Sequence, residues 1–149
     1  MPSKRTTKSI GYYLWPVFMA LAFIGAVDSG YLTYEHYQES TPGCAVGSCG
    51  EVLESEYAES LGIPLALWGV GFYLTLLFLG TLFLVTKRTL VLVPLLGVAG
   101  GGFFSALIFI HIQVNLIGAV CMYCVISAVV STLLFFLSLA LYAERSKSK

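Results

Sequence analysis

The chain has 149 residues, 58% of them hydrophobic and 11% charged, and carries no net charge. A water-soluble domain of this size has too little interior to hide that much apolar surface, which excludes an aqueous globular fold. The eight basic residues are too few and too scattered to follow a nucleic-acid backbone.

The apolar residues gather into stretches at about 10–34, 64–86, 90–112 and 120–142, each close to the ~20 residues a helix needs to cross a bilayer. The predicted fold is an all-α membrane protein. It has a four-transmembrane-helix bundle over 10–143, a short interfacial helix in the first outer loop, and cytoplasmic tails at 1–9 and 144–149. Lys4, Arg5, Lys8, Lys87, Arg88, Arg145, Lys147 and Lys149 all flank the spans on one side, whereas 35–63 has no Lys or Arg and is rich in glutamate. By the positive-inside rule both termini are cytoplasmic, and the acidic loop and the 113–119 turn lie outside. All four cysteines then share the extracytoplasmic face of a plasma membrane, where disulfides persist. The basic-then-apolar N-terminus is unlike a cleaved signal, because its apolar run is too long and Ile24-Gly25-Ala26 is a poor cleavage site.

In the first span, about 11–34, Trp15, Tyr31 and Tyr34 fit interfacial belts. Pro16 is placed in an early turn, where a missing N–H costs least. Asp28 is the one charge inside any span. An ionisable group there is a functional suspect, weighed against a carboxylate hydrogen-bonded to a loop or a neighbouring helix. Residues 41–50 hold Gly43, Gly47, Gly50 and Pro42 and read as a mobile loop carrying Cys44 and Cys49. A ring of that size stabilises by only about 2 kcal/mol on loop entropy. A small exposed disulfide suits exchange better than stapling.

Leu53, Tyr57 and Leu61 recur every four residues, so 51–61 is predicted to be an amphipathic helix lying flat on the membrane as a lid over the bundle. Gly62 should end it and Pro64 open the second span. Trp68 and Phe72 in that span lie at the depth of Cys124, either as bundle packing or as the wall for a flat aromatic ligand. In the third span, Pro94 sits in the first turns, and Gly97, Gly100, Gly101 and Gly102 allow close helix approach. His111 reads as an ordinary interfacial histidine. After a polar break at Gln113 and Asn115, Cys121-Met122-Tyr123-Cys124 opens the fourth span. Residues three apart share a helix face, and the partial positive charge of a helix N-terminus favours thiolate.

Two cysteine pairs on one side of a membrane form a relay in which thiolate attack passes a disulfide from a loop pair to a fixed pair. The fixed pair must then give two electrons to an acceptor, and a lipid-soluble one is the simplest. Four cysteines at these spacings also fit zinc, but that needs both pairs locked together beside lipid, so no metal is expected. The alternative from another class is a non-catalytic scaffold with structural disulfides.

Several segments together resemble the vitamin K epoxide reductase family, in its bacterial disulfide-oxidase branch. They are Asp28-Ser29-Gly30-Tyr31-Leu32, Cys44 and Cys49, Ser55, Gly62-Ile63-Pro64 with Trp68-Gly69, and the Cys-x-x-Cys at 121–124. The resemblance implies a quinone-dependent thiol-disulfide oxidoreductase. In it Cys44 and Cys49 take electrons from a separate thioredoxin-like partner and pass them to Cys121. Cys124 then reduces a quinone of the ubiquinone, menaquinone or vitamin K type. The same resemblance makes Ser55 a polar neighbour of the active disulfide, and Leu53, Tyr57, Trp68 and Phe72 the quinone-pocket wall. The vertebrate enzymes have an asparagine four residues before the second-span glycine and a tyrosine four after the second active cysteine. Leu65 and Ala128 stand there in this chain, which favours ordinary quinone over epoxide.

Overall fold

The computed structural model describes the backbone of residues 4–38, 43–44 and 47–147, and the side chains of 13–38, 43–44 and 47–146. Of the predicted mobile loop, Thr41, Pro42, Ala45 and Val46 lie outside the described residues.

Four long helices dominate: α1 (Lys4–Tyr37), α3 (Leu65–Thr86), α4 (Leu92–Ile112) and α5 (Met122–Lys147), with a five-residue helix α2 (Cys49–Leu53) between the first two. Each long helix holds a segment apolar and long enough to span a bilayer. α1 packs on α3 and α5, and α4 packs on the same two, so the four close into a bundle. Its core is filled by Phe18 and Ala22, Tyr73, Leu76 and Phe83, Leu92, Leu95 and Ala99, and Val130 and Leu134, drawn from the four helices in turn. Phe23, Phe78, Phe104 and Phe136, one per helix, are more than half exposed. Bare aromatic surface on every outer face is what lipid has to cover.

The expected glycine packing is present at two of the four positions: the Phe135 ring lies against Gly100 and the Phe72 ring is pressed onto Gly102, while a side chain at Gly97 or Gly101 would meet no other described residue. Pro94 sits in the first turn of α4, as expected. Two expectations for the first span need correction. α1 starts at Lys4, because the polar N-terminal residues continue the helix, so Pro16 is interior and removes one helix hydrogen bond. Trp15 is buried and stacks on Phe83 with ring centroids 4.6 Å apart. A large flat ring buries more apolar area between helices than in a surface belt.

The loop between the first two spans also departs from the predicted single helix over 51–61. α2 stops at Leu53, a 3₁₀ turn follows at Glu56–Ala58, and then comes a small antiparallel hairpin, β1 (Glu59–Ser60) with β2 (Ile63–Pro64). The Ser55 hydroxyl donates to the Val52 carbonyl at 2.7 Å, a local bond that competes with continuing the helix. The hairpin turns on Leu61 and Gly62, both at positive φ (59° and 74°), the backbone of a two-residue turn that matches strand twist. Leu61 is therefore 90% exposed instead of completing an apolar stripe. Pro64 caps α3 as predicted. His36 near the end of α1 reaches Glu59 of β1 at 3.2 Å, tying hairpin to bundle.

Candidate functional site

Helix α5 begins at Met122, which leaves Cys121 just outside its first turn and Cys124 within it. Both are free thiols, and they hydrogen-bond each other. Cys121 is fully buried. The Cys124 side chain, helped by the backbone N–H groups of Cys124 and Tyr123, holds the Cys121 thiol down at about 7 despite its burial. Those amides are the unpaired donors of the helix N-terminus, so the sequence argument from the helix end holds, with a neighbouring thiol as the larger cause.

Cys44 and Cys49 are joined in a disulfide. Cys49 opens α2 and is 1% exposed, packed in one apolar cluster with Val52, Ala119 and Cys121, while Cys44 lies further out. Backbone pairing holds this loop in place. Gly47 forms an antiparallel bridge with Cys121, and the Ser48 N–H donates to the Val120 carbonyl at 3.1 Å. Gly47 has φ +99°, and a Cβ there would lie on the Val120 carbonyl oxygen, so both conformation and space call for glycine.

Gln113 starts a single π-helical turn, Gln113–Ile117, that ends α4 and reverses at Gly118. Such turns recur at functional sites. Its backbone carbonyl accepts from the Ala119 N–H at 3.2 Å, and its side-chain Oε1 accepts from the Cys121 N–H at 3.1 Å. The same side chain acts electrostatically on the Cys124 thiol, and both residues line one cavity. One buried amide thus holds Cys121 by its backbone and bears on Cys124.

Beside this cluster a cavity of about 560 Å³ opens between the helices, within the roughly 300–1,000 Å³ range of small-molecule sites. Leu53, Tyr57, Trp68 and Phe72 all line it, as do Ser55, Leu65 and Ala128. Of the four cysteines, Cys124 alone is on its wall. Tyr73 and Ser127 add polar groups, the tyrosine hydroxyl lying 2.8 Å from Ser127 Oγ.

A profile of the vitamin K epoxide reductase family matches residues 16–139. The chain belongs to that family. It is also 33% identical over 121 residues to the thiol-disulfide oxidoreductase LTO1 of Arabidopsis thaliana, a match covering 75% of this chain and 32% of that protein. The chain thus spans about a third of that relative's length.

Within this vitamin K epoxide reductase fold, all nine residues singled out from the sequence fall at the cysteine cluster or on the cavity wall. Ser55 reaches it with its hydroxyl engaged by the Val52 carbonyl. The segment 51–61, though not one helix, contributes Leu53, Ser55, Tyr57 and Ala58 to the cavity lining. His111 is held by Asn115 at 3.1 Å on an exposed face, away from the cavity wall, in keeping with an ordinary histidine. Asp28, weighed above as a hydrogen-bonded carboxylate, has a buried Oδ2 with no partner among the described residues. Gln113, Tyr73 and Ser127 were not foreseen as site residues. The one signal for Gln113 was the polar break it forms with Asn115, eight residues before Cys121.

Proposed function

We propose that this chain is a membrane thiol-disulfide oxidoreductase that takes electrons from a separate thioredoxin-like protein and delivers them to a quinone. The observation that carries the reading is the order of the sulfurs. Cys44 is half-buried at the edge of the cluster, Cys49 is fully buried in it with Cys121, and of the four cysteines Cys124 alone meets the apolar cavity.

The chemistry follows that order. A thiolate of the reduced partner attacks Cys44, and Cys49 leaves as a thiolate. Cys49 attacks Cys121 of a Cys121–Cys124 disulfide, and Cys124 takes the electron pair. The partner's second thiol frees Cys44, which then attacks Cys49 and restores the loop disulfide, leaving Cys121 and Cys124 as thiols. That end state matches the arrangement found, with the loop pair joined and the helix pair free. A quinone supplies the sink for the two electrons and two protons that the dithiol sheds as it closes. Leu53, Tyr57, Trp68 and Phe72 would hold its ring by apolar and aromatic contact, and the cavity's size and lining fit a flat aromatic group. Apolar Leu65 and Ala128 on that wall favour ordinary quinone, of the ubiquinone, menaquinone or vitamin K type, over epoxide.

The reading places residues 10–143 in a plasma membrane, both termini in the cytoplasm and the cysteines outside, on the charge asymmetry alone. Purified protein with dithiothreitol as donor should bleach quinone absorbance. Cys121→Ala and Cys124→Ala should abolish this, and Cys44→Ala and Cys49→Ala should spare it while losing turnover with a protein dithiol. Absence of any quinone reduction by the wild type would overturn the proposal.

A further inference from the structure

The relay leaves one group in the cluster without a task. Gln113 is 4% exposed, its Oε1 is committed to the Cys121 N–H at 3.1 Å, and it shares a cavity wall with Cys124, on whose thiol it acts. With the oxygen so occupied, the amide NH₂ is what it offers to the Cys124 sulfur. The amide cannot swing freely. It projects from a π-helical turn whose first carbonyl is itself held by the Ala119 N–H.

The chemistry at this spot has a specific need. When Cys49 attacks Cys121, the S–S bond between Cys121 and Cys124 breaks and its electron pair goes to Cys124. That thiolate forms on an apolar cavity wall with little water to stabilise it. Leaving-group stability sets the rate of thiol–disulfide exchange, and a pre-aimed N–H donor at the place where charge develops is the general remedy. No Lys or Arg lies anywhere between residues 9 and 86 or 89 and 144, and the histidine on the cavity wall, His36, is engaged by Glu59 at 3.2 Å. Asp28, whose charge acts on both thiols, works against the anion.

We infer that Gln113 is a catalytic residue of the disulfide-transfer step, its amide N–H donors stabilising the Cys124 thiolate as Cys49, or any thiolate, displaces it from Cys121. The inference rests on the proposed relay and assigns its electrophilic assistance to the end of α4. In the same contact, Oε1 holds Cys121 by its backbone, so the two sulfurs stay in register for attack.

The test needs no quinone. In a Cys44→Ala/Cys49→Ala background, the Cys121–Cys124 disulfide is formed with a small oxidant such as diamide, and its reduction by dithiothreitol is followed by stopped flow. Gln113→Glu keeps an acceptor for the Cys121 N–H but sets a carboxylate against the departing sulfur. Gln113→Met removes acceptor and donor alike. Both should slow the reduction on the order of 10- to 100-fold, as expected for a hydrogen bond to a charged group. In the full four-cysteine protein, reduction of the Cys44–Cys49 disulfide by dithiothreitol should stay within about twofold of wild type. A Gln113→Met protein, which has no donor, that exchanges as fast as wild type overturns the inference, and so does an equal slowing at both disulfides, which would mark a structural role. A wild type that exchanges with this Gln113 dependence yet never reduces quinone sinks the acceptor assignment alone.

Discussion

Replacing Cys124 with alanine tests what controls the Cys121 nucleophile. The Cys124 side chain is the largest cause holding the Cys121 thiol at about 7, against an ordinary 9.0, while burial pushes the other way. Without Cys124 the midpoint should climb back to about 9, cutting the thiolate fraction at pH 7 from about one half to about one hundredth. A more basic thiolate is also more nucleophilic. With a Brønsted slope of about 0.45, two pH units are worth roughly an eightfold gain per thiolate. The net loss at pH 7 is then only about sixfold, and the variant overtakes the parent above roughly pH 8. The assay is iodoacetamide alkylation between pH 5 and 10 in a Cys44→Ala/Cys49→Ala background, comparing proteins with and without Cys124. Each rate curve is fitted for midpoint and plateau. A variant whose midpoint stays near 7 would show that the amides at the start of α5, not the partner thiol, set the acidity.

Asp28→Asn should move the Cys121 midpoint below about 7, because the carboxylate's charge opposes the thiolate. The same alkylation series reads it, and an unchanged midpoint would mean the charge is not felt. Gly47→Ala should free the loop disulfide from α5, since a side chain there meets the Val120 carbonyl and adds roughly 1–2 kcal/mol of left-handed strain. Dithiothreitol should then reduce Cys44–Cys49 several-fold faster, and equal rates would contradict the docking. Gly102→Ala should drive the Phe72 ring into the cavity. Its signature is a raised KM for quinone with the Cys121 alkylation curve untouched, and an unchanged KM would remove Phe72 from the wall.

The spans and the short loops between them were readable from the sequence. The residues that the resemblance grouped, Leu53, Tyr57, Trp68 and Phe72, line one cavity with Cys124. The misreadings share a cause. The stripe of Leu53, Tyr57 and Leu61 has helical spacing, but Ser55 turns back onto Val52 and the chain reverses at Leu61-Gly62, so periodicity alone could not see the break. Trp15 and Pro16 were misplaced because nothing in a hydropathy plot says that a helix continues past the lipid edge to Lys4.

What the sequence determined by itself is which segments seek lipid and which end of the bundle carries the thiols. Hydropathy and charge act on each segment independently of its neighbours, so they survive being read one stretch at a time. The tertiary structure alone decided that Cys49 is the loop sulfur fully buried in the cluster with Cys121, and that Gln113 holds the Cys121 N–H while sharing a cavity wall with Cys124. Those outcomes depend on how α2, the π-helical turn and α5 stack against one another, and hydrogen bonds between distant segments leave no periodic trace in the chain.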